Sequence, residues 1–137
     1  MRFSKLIPEL SVSNIVESLR FYRDIIGFNV EYSRPKEKFY FLSIDSAQLM
    51  IEEINNHWWT GELVYPFGRG INFQIEVTDV ASIVKRLEEA GVTLFRSSEE
   101  KWYGGDGVEF GQVEFLVQDP DGYLLRFCQD IGERKLQ

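Results

Sequence analysis

Histidine and cysteine are the scarcest reactive residues of this chain, which contains only His57 and Cys128 of these two types. A Ser-His-Asp or Cys-His constellation is therefore not credible, and nucleophilic catalysis of that kind is disfavoured. Cys128 has no partner for an intrachain disulfide, and the apolar residues Leu125 and Phe127 beside it predict a strand position. His57 lies in a polar segment and is interpreted as a surface residue.

Long apolar runs and excess positive charge are also missing. No stretch approaches the roughly 20 apolar residues that cross a bilayer, and residues 1–5 lack the apolar region of a signal peptide. The net charge of -7 disfavours nucleic acids and anionic membranes as partners but permits a cationic ligand. We expect a cytoplasmic protein that binds neither nucleic acid nor membrane.

The first half of the chain has the pattern of a strand, a helix and three further strands. Strands are predicted at 7–12, around 28–32, at 39–44 and at 48–52. The helix is predicted to begin after Asn14, whose side chain can cap its free amides, and to end at Gly27.

The second half repeats this order. Strands are predicted at 71–77, 93–95, 114–117 and 123–127, and a helix between Asp79 and Gly91. The glycine-rich stretch 104–107 is interpreted as a flexible loop able to act as a lid, because it lacks the lysine and helix of a phosphate loop.

Two matches in register support an internal duplication. Residues 11–15 match 76–80 at one offset, and Phe41-Leu42 with Asp45 matches Phe115-Leu116 with Asp119 at another. A chain of 137 residues has the usual size of one domain. We therefore predict an α+β fold in a single domain, with module one at about 5–54, a linker at about 55–70 and module two at about 71–131.

The segment 114–127, with its Asp-Pro-Asp-Gly turn, resembles the final hairpin of bleomycin-resistance-like proteins. With the order of both halves, it identifies the chain as a member of the glyoxalase/bleomycin-resistance family, the vicinal-oxygen-chelate superfamily. The resemblance implies two βαβββ modules around an open barrel-like cleft, and often a homodimer whose modules complete each other's sites. Some members use a divalent metal for isomerisation, dioxygenation or thiol addition. Bleomycin-resistance members confer antibiotic resistance by sequestering a cationic drug without a metal.

The positions that hold the metal in metal-dependent members correspond here to Ile7, Glu52, Asn72 and Arg126. Isoleucine offers no ligand atom, asparagine offers a weak carbonyl, and arginine carries a permanent positive charge. Only Glu52 suits a metal ion, so no metal and no other cofactor is predicted. The nearby residues Glu9 and Glu53 are expected to face solvent, because a shift of one residue along a strand reverses the side-chain direction.

The predicted ligand site combines polar residues of the cleft with loop aromatics. Glu52 and Arg126 are expected to form an ion pair across the cleft floor, with Asn72 hydrogen-bonding nearby. The remaining ligand-binding candidates are aromatic, and they can stack on a ligand or pack in an interface: Trp58, Trp59, Trp102 and Tyr103.

Two functions remain open at this stage. The first is a metal-independent homodimer that sequesters a small cationic or aromatic molecule. The second is a lyase, isomerase or thiol transferase of the glyoxalase type, in which Glu52 acts as a general base or as one ligand of a metal.

Overall fold

The computed structural model describes residues 2–136. Module one contains the strands β1 Glu9–Val12, β2 Asn29–Arg34, β3 Phe39–Ile44 and β4 Ala47–Glu53. Its helix α1 Ile15–Leu19 is continued by a π-helical segment Arg20–Ile26, and a 3-10 turn Pro35–Glu37 lies between β2 and β3. Module two contains β5 Asn72–Glu76, α2 Val80–Glu89, β6 Arg96–Gly105, β7 Val108–Gln118 and β8 Leu124–Lys135.

Each module forms its own four-stranded mixed sheet. The strand order is β1-β4-β3-β2 in module one and β5-β8-β7-β6 in module two. The pairs β1/β4 and β5/β8 are parallel, and the other pairs are antiparallel. The predicted α+β fold of two βαβββ modules is confirmed.

The helix ends follow the predicted capping residues. The Asn14 side chain accepts hydrogen bonds from the backbone amides of Val16 and Glu17 at 3.0 and 3.1 Å. Asp79 accepts one from the Ser82 amide at 3.1 Å. Gly27 ends the first helix in the left-handed region with φ of 106°, which glycine adopts without steric cost.

The two modules share one hydrophobic core and are joined by reciprocal polar contacts. In each contact, an aspartate in a turn of one module accepts a hydrogen bond from the backbone just before the helix of the other module. Thr78 N donates to Asp45, and Ser13 N donates to Asp121, each at 3.0 Å. Arg86 of α2 donates to the carbonyl of Ile25 at 2.9 Å. The core cluster contains buried residues from both halves of the chain.

The glycine-rich stretch 104–107 is not the flexible loop that we predicted. β6 continues to Gly105 and pairs with β7, which begins at Val108. Asp106 and Gly107 form the turn between them, with positive φ values of 54° and 83°. This turn chemistry is typical of a two-residue hairpin, because both central residues must adopt positive φ. The stretch is therefore the tip of a paired hairpin.

The sheet of module two is much longer than the sheet of module one. The pairing of β7 with β8 extends to Val108 opposite Lys135, whereas β5 pairs with β8 only up to Cys128. The ends of β6, β7 and β8 beyond β5 therefore form a three-stranded arm. Within residues 2–136, no helix combines the length and the apolar character that crossing a membrane requires.

Candidate functional site

The strands of each module bury one face of the sheet against the helices and leave the opposite face for other contacts. In module one, Leu10 and Ile51 belong to the core, so the alternating residues Glu9 and Glu52 point away from it. We call this surface, formed by Glu9, Tyr32, Phe39, Phe41 and Glu52, the first face.

Module two has an equivalent surface. Phe115, Leu125 and Phe127 belong to the core, so the alternating residues Glu114 and Arg126 point to the opposite side of the sheet. We call this surface the second face; it consists of Asn72, Tyr103, Glu114 and Arg126.

Glu52 is the buried carboxylate of the first face, with only 7% of its surface exposed. It accepts a hydrogen bond from the Asn55 side chain. A cavity of about 470 Å³ lies beside it, and Asn55 and His57 are among its lining residues. Glu52, a predicted site residue, therefore lies at a concave surface, and His57 lines the same cavity.

The two glutamates next to the mapped positions differ in their environment. Glu9 is largely exposed as expected, but it shares the first face with Glu52. Partial desolvation of its carboxyl group, together with the charge of Glu52, raises the pKa of Glu9. Glu53 is half-buried on the helix side, where it accepts from Lys38 at 2.9 Å and from the Ile15 amide at 3.1 Å. The Lys38 hydrogen bond lowers the pKa of Glu53.

Aromatic rings on the first face were not among the predicted site residues. Tyr32 stacks on Phe41 with ring centroids 5.1 Å apart, and Phe3 meets Phe41 edge-on at 5.4 Å. Phe41 is buried although it lies outside the core cluster. The alternation of Phe39 and Phe41 with core residues is the sequence signal that could have found them.

A bulge in β2 explains why Tyr32 joins this surface. The β2–β3 pairing passes from Val30 opposite Leu42 directly to Tyr32 opposite Phe41, so Glu31 is the extra residue. A bulge changes the direction of the side chains that follow it, and it has no reliable signature in a single sequence.

Arg126 of the second face pairs with a residue that the sequence analysis did not select. Its Nη1 lies 3.7 Å from Oε2 of Glu114, which is only 5% exposed. Glu114 also accepts from the Tyr103 hydroxyl at 2.5 Å and from the Gln112 side chain at 3.1 Å. The hydrogen bond with Glu114 raises the pKa of Tyr103.

The predicted ion pair between Glu52 and Arg126 is not formed within the chain. Glu52 bonds to Asn55 and Arg126 contacts Glu114. The two residues line separate cavities on different modules. Asn72, by contrast, is exposed and does line the cavity of Arg126. The physical reason is that each module directs its own sheet face outward, so two such faces do not meet in one chain.

Glu52 and Arg126 are also not equivalent positions of the duplication, as the sequence offsets had suggested. Glu52 lies opposite Ser11 on β1, and Arg126 lies opposite Gln74 on β5. The first offset makes Ser11 equivalent to Glu76, which lies opposite Cys128. The structural counterpart of Glu52 is therefore Cys128, a buried thiol whose pKa is raised by burial.

The two predicted ligand contacts on β6, Trp102 and Tyr103, do not share a face of the sheet. Trp102 and Tyr103 are consecutive residues of β6, so their side chains point to opposite faces of the sheet. Tyr103 belongs to the second face, whereas the Trp102 ring packs where Gly111 leaves space. The guanidinium of Arg134 lies 4.0 Å from the centroid of that ring.

The linker aromatics divide into two groups. Trp58 and Trp59 are 68% and 38% exposed, and the ring of Trp58 lies 6.1 Å from that of His57. Phe67 instead packs edge-on against Tyr123 of module two at 5.8 Å. Trp58 and Trp59 are thus exposed beside a residue of the Glu52 cavity, while Phe67 fixes the linker to the domain.

The four positions that the family resemblance assigns to a metal, Ile7, Glu52, Asn72 and Arg126, do not supply the donors of a metal site in this chain. Ile7 and Arg126 provide no ligand atom, and only Glu52 provides a carboxylate. Within residues 2–136, no group of three or more histidine, cysteine, aspartate or glutamate side chains is arranged to hold a metal ion. The donor set of the chain therefore does not fit the metal of the metal-dependent members.

The paired modules, the Asp-Pro-Asp-Gly hairpin and the outward sheet faces point to one family. The model of the Glyoxalase/Bleomycin resistance protein/Dioxygenase superfamily matches residues 7–127. The chain belongs to this superfamily. The family resemblance noted from the sequence is thereby confirmed.

Relatives with two different descriptions match the chain at similar identity. A lactoylglutathione lyase of Neisseria meningitidis is 25% identical over 126 residues, covering 88% of this chain and 86% of the relative. A bleomycin resistance protein of Geobacillus stearothermophilus is 24% identical over 136 residues, covering 91% and 96%. The comparisons establish the superfamily without choosing between an enzyme and a binding protein.

A solved structure supports the fold. The structure of TioX from Micromonospora sp. ML1 superimposes with a TM-score of 0.70 at 17% identity, covering 94% of this chain and 100% of that one. At this identity, the likeness concerns the architecture alone.

Proposed function

We propose that this chain is a metal-independent binding protein that sequesters a small cationic or aromatic molecule. The observation that carries the proposal is the composition of the first face, where the carboxylates of Glu9 and Glu52 share one side of the sheet with the stacked rings of Tyr32 and Phe41. Carboxylates pair with a cation, and aromatic rings stack on flat groups, which together are typical of a small-molecule site.

We further propose that a second copy of the chain completes each cleft. The first face carries the carboxylates of Glu9 and Glu52, with the guanidinium of Arg34 4.0 Å from the centroid of the Phe39 ring. The second face carries Arg126 beside Glu114, with Arg96 in the same cavity. A two-fold axis that places the second face of one copy over the first face of the other makes the same contact twice, as in isologous dimers. Such a dimer brings Glu52 of one copy toward Asn72, Tyr103 and Arg126 of the other, and Trp58 and Trp59 contact the ligand or the partner.

The binding proposal is tested by titrating the metal-stripped protein with metal-free bleomycin and following tryptophan fluorescence. We expect saturable quenching. Glu52→Gln should weaken binding about tenfold, because a hydrogen bond to a charged group contributes about 1.5–3 kcal/mol. Glu88→Gln, which changes an exposed carboxylate of α2, is the matched control and should bind like the wild type. Absence of quenching, or equal binding by Glu52→Gln, would contradict the proposal.

Light scattering after size exclusion tests the dimer, for which we expect twice the mass of the 16.0 kDa chain. A monomer at all concentrations would contradict the proposal that a second copy completes each cleft.

A glyoxalase-type lyase, isomerase or thiol transferase is the second candidate. It is favoured by the lactoylglutathione lyases among the relatives and by the buried carboxylate of Glu52. Calorimetric titration of the metal-stripped protein with nickel, zinc and manganese separates the two functions. Tight stoichiometric binding, with metal-dependent turnover of a hemithioacetal that Glu52→Gln abolishes, would establish the enzyme.

A further inference from the structure

The guanidinium of Arg126 has a buried donor that no described residue uses. Its Nε is inaccessible to solvent and has no hydrogen-bond partner within residues 2–136, although the side chain as a whole is 29% exposed. Buried donors are nearly always satisfied, and an unsatisfied one calls for a ligand, an ion or water. The described residues therefore leave this enclosed Nε unsatisfied, and it is the exposed part of the Arg126 side chain that a ligand in the cavity can reach.

Arg126 lies beside a carboxylate that accepts hydrogen bonds on both of its oxygens. Oε1 of Glu114 accepts from the Tyr103 hydroxyl and Oε2 accepts from the Gln112 side chain, while Nη1 of Arg126 lies 3.7 Å from Oε2 as an ion pair. This ion pair directs Nη1 toward Glu114. The planar fork of arginine leaves its other donors for a second acceptor.

The charges around the cavity favour an anion. Three basic residues, Arg96, Lys101 and Arg126, line it together with two acidic ones, Glu99 and Glu114. Lys101 is paired with Glu99 at 3.1 Å. Glu114 already interacts with Tyr103, Gln112 and Arg126. Within the described residues, Arg96 forms no ion pair, and the cavity of about 260 Å³ holds a small organic group.

We propose that the second face is a binding site for the carboxylate of a small organic ligand, with the Arg126 fork as its principal donor and Arg96 and Asn72 beside it. Arg126, which offers no metal-ligating atom, thus supplies a different recognition chemistry on this face. The inference rests on the proposed binding function and defines its ligand more closely: a molecule with a carboxylate at one end and a ring or cation at the other.

Three ligands of nearly identical shape test the charge requirement: benzoate, neutral benzamide and cationic benzamidine. Each is titrated into the full chain while the Nε–Hε signals of the arginines are followed by NMR. We expect benzoate to shift the Arg126 signal saturably and benzamide to bind at least about tenfold more weakly, because a charge-assisted hydrogen bond is lost.

Arg126→Lys keeps the charge but removes the fork, so we expect benzoate, followed through the amide signals of Asn72 and Tyr103, to bind about tenfold more weakly. Arg23→Lys, at an exposed position of the first helix, is the matched control and should not change binding. The amide spectrum of each variant establishes that it is folded. Tyr103→Phe removes one donor to Glu114, so it should alter the Arg126 signal before any ligand is added.

The inference is overturned if benzoate leaves the Arg126 signal unchanged. It is also overturned if benzamide binds the wild type as tightly as benzoate does, or if the Arg126→Lys variant binds benzoate as tightly as the wild type does. Benzamidine separates this failure from failure of the proposed function. If benzamidine shifts the Asn55 side-chain amide next to Glu52 while benzoate has no effect, the first-face proposal stands alone. If benzoate binds at Arg126 and neither benzamidine nor bleomycin binds the first face, the carboxylate site stands and the proposed function falls.

Discussion

Asp119 lies where the two modules meet and is only 3% exposed. Its Oδ2 accepts the hydroxyl of Tyr22 at 2.7 Å, and its Oδ1 accepts the amides of Asp121 and Tyr123 at 3.0 and 2.9 Å. Burial raises the pKa of Asp119 to about 6, against the opposing effect of these hydrogen bonds. The stability of the domain should therefore depend on pH through this carboxyl group.

The sign follows from proton linkage. The folded protein holds the Asp119 proton up to a pKa of about 6, whereas the unfolded chain releases it near ~3.9. The folded state therefore binds more protons between these values, and the contribution to the free energy of unfolding is complete below about pH 4 and lost as the pH rises through 6. Each pKa unit corresponds to about 1.4 kcal/mol, so the loss is about 3 kcal/mol.

Urea unfolding between pH 4 and pH 7.5 measures this effect in the wild type and in Asp119→Asn. The wild-type free energy of unfolding minus that of the variant should fall by about 3 kcal/mol across this range. Asp45→Asn makes the same change in the exposed turn of module one, where the carboxylate accepts from Thr78 N, and reports the effect of losing a turn carboxylate that is not buried. Parallel pH profiles for the wild type and Asp119→Asn would refute the reasoning.

Three further changes follow from individual contacts. Gly111→Ala places a Cβ 2.6 Å from the Trp102 ring, so we expect about 1–3 kcal/mol of destabilisation in thermal unfolding. Arg86→Met removes the hydrogen bonds to the carbonyls of Ile25 and Ile26 and should lower the free energy of unfolding by about 1–3 kcal/mol, measured in urea. Trp102 lies on the side of β6 opposite Tyr103, so Trp102→Phe should leave the affinity for bleomycin unchanged in a calorimetric titration. A tenfold loss of affinity would indicate that Trp102 does contact the ligand.

The fold was predictable because its signals are local. Asn14 and Asp79 cap their helices as their positions before apolar periodic segments indicate. The length of the last three strands was not predictable from apolar patterning, because residues 96–105 are mostly exposed and polar. Their strand conformation is stabilised by pairing with β7, which is a tertiary effect.

Part of the candidate site could be predicted from the sequence. Glu52, Asn72, Tyr103 and Arg126 do lie on outward sheet faces or in their cavities. Glu114 was overlooked because it precedes a hydrophobic segment and resembles an ordinary strand residue. Consecutive residues of a strand point to opposite faces, so a strand at 96–105 is enough to separate Tyr103 from Trp102.

The failure of the Glu52–Arg126 correspondence has a cause in the hairpins. The turn between β3 and β4 lies between the paired residues Ile44 and Ala47, whereas the turn between β7 and β8 lies between Gln118 and Leu124. Loop length sets hairpin register, so residues aligned in sequence lie opposite different partners. The two outward faces therefore present different side chains at corresponding places. One carries the buried carboxylate of Glu52 and the other carries a guanidinium whose Nε has no partner among residues 2–136, an asymmetry that suits the proposed ligand with two unlike ends.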